Sequence, residues 1–178
     1  MKVKPLVILP PLLFAGLAAM FWIGMNRQNP DELPSMIVGK AAPGVVLAQL
    51  GDSAPFSDAT LRDGHVKIVN FWASWCEPCR AEAGTLGKMA AGGVPIYGVN
   101  YKDKPAAALG FLADAGDPFT AMGADPAGQM AINWGVYGVP ESYVIDGNGK
   151  VLLRFPGPIT NDVLKSTIEP ALARAAAD

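Results

Sequence analysis

Cys76 and Cys79 are the only cysteines in the 178-residue chain, and only Glu77 and Pro78 separate them. Two thiols at this spacing can serve as half of a zinc site, a haem attachment point, a structural bridge or a reversible dithiol/disulfide pair. A structural zinc ion takes about four Cys or His ligands. Here there are two cysteines and one histidine, His65, in the polar stretch Arg62-Asp63-Gly64-His65. Covalent haem attachment needs a histidine directly after the second cysteine, and Arg80 stands there. A purely structural disulfide of this length closes a loop too short to remove much unfolded-state entropy. The reversible redox pair is therefore the strongest reading. A Cys–His or Ser–His–Asp hydrolase would have to use His65, which reads as a solvated loop residue.

The compartment bears on that chemistry. Lys2 and Lys4 precede a run from Leu6 to Met25 that carries no charge and matches the hydrocarbon thickness of a bilayer. Positive charge before the run favours a cytoplasmic N-terminus. The segments expected are a short cytoplasmic start at 1–5, a transmembrane signal anchor at 6–25, a polar linker at 26–37 and a folded domain at 38–178. A cleaved signal peptide is the alternative, with Leu6–Phe14 as its apolar region and cleavage within Ala15–Ala19. Against it, the apolar run continues through Met20-Phe21-Trp22-Ile23, and no good A-x-A site appears. Either way the domain is exported to an oxidising compartment, where a dithiol stays reduced only if something reduces it. The net charge of −2 and the scattered Lys and Arg residues give no basic stripe for nucleic acid.

Several elements are expected to position the cysteines. Val66–Trp72 is a short β-branched run typical of a central buried strand, and it leads into the cysteines. Glu77–Ala90 carries helix formers, with Pro78 tolerated in the first turn. Val94–Asn100 reads as a second strand, Lys104–Ala115 as a helix, and Ala127–Trp134 as a short helix. Ser142–Asp146 and Lys150–Phe155 flank Gly147-Asn148-Gly149, a strong hairpin pattern. Val45–Ala48 is a candidate first strand, and Phe56–Arg62 is turn-like. Thr160 or Asn161 caps a final helix to about Ala176, with a kink or break at Pro170. Strands alternating with helices, then a terminal hairpin and helix, give an α/β fold with a mixed central sheet.

These residues resemble the thioredoxin family, through a W-C-x-x-C between a buried strand and a helix and through Val139-Pro140 about sixty residues later. Within it the chain resembles the CcmG/DsbE branch of cytochrome c maturation. The N-terminal anchor and four motifs carry that match: Asn70–Cys76, Cys79-Arg80-Ala81-Glu82, Gly98–Asp103 and Gly135–Glu141. The resemblance covers essentially the whole chain. It implies a thioredoxin-like fold behind an N-terminal transmembrane helix, anchored in the inner membrane and facing the periplasm. It implies a thiol:disulfide oxidoreductase that reduces the C-x-x-C-H cysteines of apocytochrome c or acts on a maturation partner. A DsbD or CcdA type membrane thiol transporter would supply its electrons. No cofactor, metal or nucleic acid is implied. Alternatives are a TlpA/ResA type reductase for other exported proteins and a redox-inert binding or chaperone module. The chain departs from many thioredoxins in having Asn70 where they have Asp, which this branch commonly shares. It departs from the branch in having no acid in Gly157-Pro158-Ile159.

Cys76 is expected at the helix N-terminus, where free N–H groups and the dipole favour its thiolate. Cys79, one turn on and more buried, is expected to resolve the mixed disulfide. Glu82 shares a helix face with Cys79, and the resemblance places Glu141 beside the dithiol. Nearby negative charge disfavours a thiolate and makes the couple more reducing, and a buried Glu82 can exchange a proton with Cys79. The alternative for both acids is solvation or an ion pair, for instance with Arg80. The resemblance also implies a cis Pro140 that presents the backbone of Val139 to substrate. Trp75, Val139 and Pro140 are the expected substrate contacts, with Trp72 and Trp75 packing around the site.

Overall fold

A computed structural model of the chain describes residues 5–25 and 36–176. Residues 1–4 of the expected cytoplasmic start and most of the linker thus lie outside the described residues. The chain divides into a unit ending at Pro34 and a unit beginning at Ser35.

In the first unit, helix α1 spans Pro5–Met25, includes Pro10 and Pro11, and has no charged residue in its first or last turn. Its large apolar side chains, among them Leu13, Phe14, Met20 and Trp22, are exposed. Side chains are described for residues 9–24, and among the described residues no helix is long and apolar enough to cross a membrane.

The second unit has a five-stranded sheet in the order β3-β2-β1-β4-β5. Its strands are β1 (Lys67–Trp72), β2 (Ile96–Tyr101), β3 (Ala121–Asp125), β4 (Glu141–Ile145) and β5 (Val151–Pro156). β1 pairs in parallel with β2 and antiparallel with β4, so the sheet is mixed. β2 and β3 are parallel, and β4 and β5 form the hairpin. Every residue of β1 is buried, as an apolar central strand covered on both faces requires. Val69 and Phe71 point to one face, where they pack with Trp134, Tyr143 and Ile145. Ile68 and Trp72 point to the other. Ile68 packs with Leu86, Met89 and Ile168 there, and Trp72 with both cysteines, Phe111 and Leu112.

The helices of this unit are α2 (Asp58–Leu61), α3 (Glu77–Ala91), α4 (Pro105–Ala115), α5 (Gln129–Trp134), α6 (Asn161–Val163) and α7 (Glu169–Ala175). Thr160 caps α6 by accepting the Val163 N–H. A π-helical stretch, Leu164–Ile168, joins α6 to α7 just before Pro170. Proline has no N–H to continue the ladder, and the expected break takes the form of this widened turn.

Two expectations need correction, and one strand lies where the sequence suggests none. Val45–Ala48 is not a strand of the sheet; it contributes a single bridge from Ala48 to Ala124. The turn-like Phe56–Arg62 contains the one-turn helix α2. Strand β3, Ala-Met-Gly-Ala-Asp, has no β-branched residue and was not expected. It forms because β2 pairs along one edge and Ala48 exchanges two 2.8 Å hydrogen bonds with Ala124 on the other. Gly123 lets that close approach happen, since a Cβ there would lie 2.8 Å from the Leu47 Cβ.

Candidate active site

β1 ends at Trp72, and α3 begins at Glu77. The four residues between them carry the chain to the first cysteine. Cys76 is the N-cap of α3, and its Sγ accepts the Cys79 N–H at 3.1 Å. The position does for sulfur what an N-cap oxygen usually does: it satisfies one of the free N–H groups of the first turn. A backbone N–H at this position favours a thiolate on Cys76 once the pair is reduced. In this structure Cys76 and Cys79 are joined, with an S–S distance of 2.06 Å and Cα atoms 5.3 Å apart. The two are buried alike, at 4% and 3% exposure. Exposure therefore does not single out Cys79 as expected; the cap position singles out Cys76.

Asp103 holds the loop before the cysteines. It accepts the Ser74 N–H at 2.6 Å, the Ser74 hydroxyl at 2.9 Å, the Asn100 amide at 3.0 Å and the Lys104 N–H at 2.7 Å. Burial pushes its carboxyl up, but these four donors outweigh burial and hold it below the usual value. The Trp75 indole N–H donates to the Lys102 carbonyl at 3.2 Å, so the same loop is pinned twice. Lys102 itself has φ +45°. Sequence reasoning placed Asp103 in a motif but gave it no role. Asp103→Ala leaves four donors without their acceptor. Because the site is partly exposed, water replaces some of the loss, and the expected cost is about 1–2 kcal/mol. A shift in the urea midpoint at unchanged slope measures it, and an unchanged midpoint would refute the clamp.

Glu82 is 1% exposed, one turn beyond Cys79. Its carboxylate accepts the Asn70 amide at 3.0 Å and the Ile159 N–H at 2.9 Å. Burial pushes its carboxyl up to about 7, although both hydrogen bonds oppose the shift. Cys79 and Glu82 line one cavity of about 10 Å³ with Asn70, Trp72 and Phe119, roughly the space of one water. The Asn70 amide also donates to the Ser142 hydroxyl at 3.0 Å, which ties the acid's support to β4. Gly157-Pro158-Ile159, which carries no acid, supplies the backbone donor to Glu82 through Ile159.

Glu141 follows the Val139–Pro140 bond, which is cis. Glu141 points to the opposite face of the sheet from Glu82, because Asn70 pairs with Ser142 and Phe71 with Glu141. Its carboxylate accepts from Arg154 Nε at 2.5 Å and Nη2 at 3.1 Å, and the Tyr143 hydroxyl lies against it. Both ionic side chains are almost fully buried. Burial and then this carboxylate push the Tyr143 phenol up, so it stays neutral. Glu141 is thus ion-paired, with Arg154 as the partner. Arg80 lies over the Phe111 ring at 4.8 Å.

The expected substrate contacts divide by exposure. Trp75 is 59% exposed, Pro140 is buried, and Val139 is half-buried against the cluster that contains both cysteines. Trp72 is buried and stacks on Phe119 at 5.5 Å. Sequence reasoning assigned no role to Arg154 or Tyr137. The signal for Arg154 was a basic residue set between Leu153 and Phe155 in the second strand of the hairpin.

The Redoxin family model matches residues 37–172. The thiol:disulfide interchange protein HelX of Rhodobacter capsulatus is 50% identical over 97% of this chain and 98% of its own. The chain belongs to the Redoxin family, among the DsbE-type thiol:disulfide interchange proteins. The DsbE homologue of Paracoccus denitrificans is 46% identical over 99% of this chain and 98% of its own. A solved DsbE from Chlorobium tepidum superimposes with a TM-score of 0.68 at 33% identity, covering 82% of this chain and 99% of that one. The fold is thioredoxin-like, and the chain is a thiol:disulfide oxidoreductase with Cys76 and Cys79 as its redox pair.

Proposed function

We propose that this DsbE-type chain is a membrane-anchored periplasmic reductant in cytochrome c assembly. Its clients are the C-x-x-C-H cysteines of apocytochrome c or a maturation protein that carries them. Its electrons come through a DsbD or CcdA type membrane thiol transporter. The observation that carries this reading is the cysteine pair at the start of α3 with the buried Glu82 on the same small cavity. A carboxylate there disfavours a thiolate beside it, and a couple whose thiols ionise less readily is more reducing. The similarity to thiol:disulfide interchange proteins such as HelX supports the exchange chemistry on which this reading rests.

The anchor reading rests on the sequence run Leu6–Met25, which carries no charge and has the length of a bilayer's hydrocarbon core. A helix that is apolar on every side needs apolar surroundings along its whole length, and the two lysines ahead of it keep its start in the cytoplasm. The full chain is then expected in the membrane fraction after high-salt washing, and a chain lacking residues 1–25 in the soluble fraction. Recovery of the full chain as a shortened soluble protein would show cleavage instead.

The direction of electron flow is tested by equilibrating the domain with glutathione. The Cys76/Cys79 couple is expected at or below the roughly −180 mV of protein disulfide isomerase. A potential near the roughly −120 mV of DsbA would make the chain an oxidant and overturn the proposal.

A further inference from the structure

Glu141 grips residue 137 in two ways. Its carboxylate accepts the Tyr137 N–H at 3.3 Å, which closes the chain around the cis Val139–Pro140 bond. It also fixes Arg154 through two hydrogen bonds, and the Arg154 guanidinium lies 4.4 Å from the centre of the Tyr137 ring. That ring is 67% exposed, yet its backbone and one of its faces are held by a buried ion pair. An exposed tyrosine normally samples several rotamers; here the stacked guanidinium favours one. Two residues further on, Val139 packs against the cluster that contains Cys76 and Cys79.

We propose that Glu141 and Arg154 are positioning residues that fix the Tyr137 ring as a wall for the substrate segment docking beside Val139. This gives Glu141 a role other than redox tuning. Its charge is neutralised by Arg154, and it points to the sheet face opposite the one where Glu82 shares a cavity with Cys79. The ring's outer face takes a neutral aromatic or apolar side chain of the substrate. The cation behind the ring disfavours a positively charged one, because it competes for the same π density. The proposal deepens the reductant reading above and rests on it for the identity of the client.

The test is a double-mutant cycle on the full chain, using a disulfide-bonded C-x-x-C-H peptide and a scrambled disulfide peptide. Tyr137→Ala and Arg154→Lys are each expected to raise KM about tenfold, the scale of one desolvated cation–π contact. The double variant is expected to be no worse than Tyr137→Ala alone. The Cys76 thiolate titration, read by absorbance at 240 nm, is expected to stay in place in both single variants and in Glu141→Gln. Additive effects in the double variant would break the link from Arg154 to Tyr137. A shifted Cys76 titration in Glu141→Gln would return Glu141 to redox tuning. Arg154→Lys keeps the charge, and Tyr137 is exposed, so the cycle is readable even if Glu141→Gln fails to fold. Equal KM for the two peptides would defeat the C-x-x-C-H client, while the cycle would still be read on either peptide.

Discussion

Cys79→Ser is expected to accumulate as a mixed disulfide through Cys76, whereas Cys76→Ser forms no adduct and loses exchange on the order of a thousandfold or more. Cys76 Sγ receives the Cys79 N–H at the start of a fifteen-residue helix, where a thiolate is better stabilised than further along the axis. As reductant, the Cys76 thiolate attacks one sulfur of a substrate disulfide. A Cys76–substrate bond forms, the substrate bond breaks, and the leaving sulfur departs as a thiolate. Cys79 then attacks Cys76 Sγ, restores the internal disulfide and releases the second substrate thiol, so two electrons have passed to the substrate. That second step is fast because the attacking sulfur is held in place, its Cα 5.3 Å from that of Cys76. The Cys79→Ser substitution removes the step and leaves the adduct intact. The adduct is read by non-reducing electrophoresis and mass spectrometry of the captured partner. Capture by the Cys79→Ser variant that lacks apocytochrome and every maturation protein would remove the proposed client. Capture by Cys76→Ser through Cys79 would reverse the assignment of nucleophile.

The parts of this site that depend on local sequence were legible, and those that depend on register were not. The run Val66–Trp72 is a strand whatever surrounds it, and the cysteines must follow it into a helix that Gly92-Gly93 ends. The hairpin around Gly147-Asn148-Gly149 is equally local. β3 is not local. Ala121–Asp125 has poor strand propensity and is extended only because Tyr97–Tyr101 and Ala48 hold its two edges. Glu141 shows the same limit at the site. Adjacency to Pro140 put it near the dithiol, but only the pairing of Phe71 with Glu141 and of Tyr143 with Arg154 tells which face it occupies and which cation it meets. Glu82 was legible because helix spacing alone puts it on the Cys79 face. Its partner Ile159 was not, since that contact spans 77 residues.

Glu82 makes the stability of the oxidised protein fall as pH rises through the neutral range. Its carboxyl is pushed from 4.5 to about 7, chiefly by burial. A group whose pKa is higher in the folded state binds its proton more tightly there. Its contribution is therefore fully present below about pH 4.5 and lost as pH climbs through about 7. At about 1.4 kcal/mol per unit, the loss is about 3 kcal/mol. Asp103 and Asp63 are both shifted the other way. Burial raises each, and their hydrogen-bond donors more than reverse it, so their contributions are present above 3.8 and lost only in stronger acid. The two effects thus occupy different pH ranges. Glu82→Gln keeps an acceptor for the Ile159 N–H and cannot ionise. Urea titrations at pH 5 and pH 8 are expected to show a drop of about 2–3 kcal/mol in the parent chain and little in the variant. Exchange near pH 7 is expected to slow by about a hundredfold in Glu82→Gln if this carboxyl takes the Cys79 proton. An equal pH slope in both chains would place the titration elsewhere. A lost slope with undiminished exchange would confine Glu82 to stability and remove it from proton transfer.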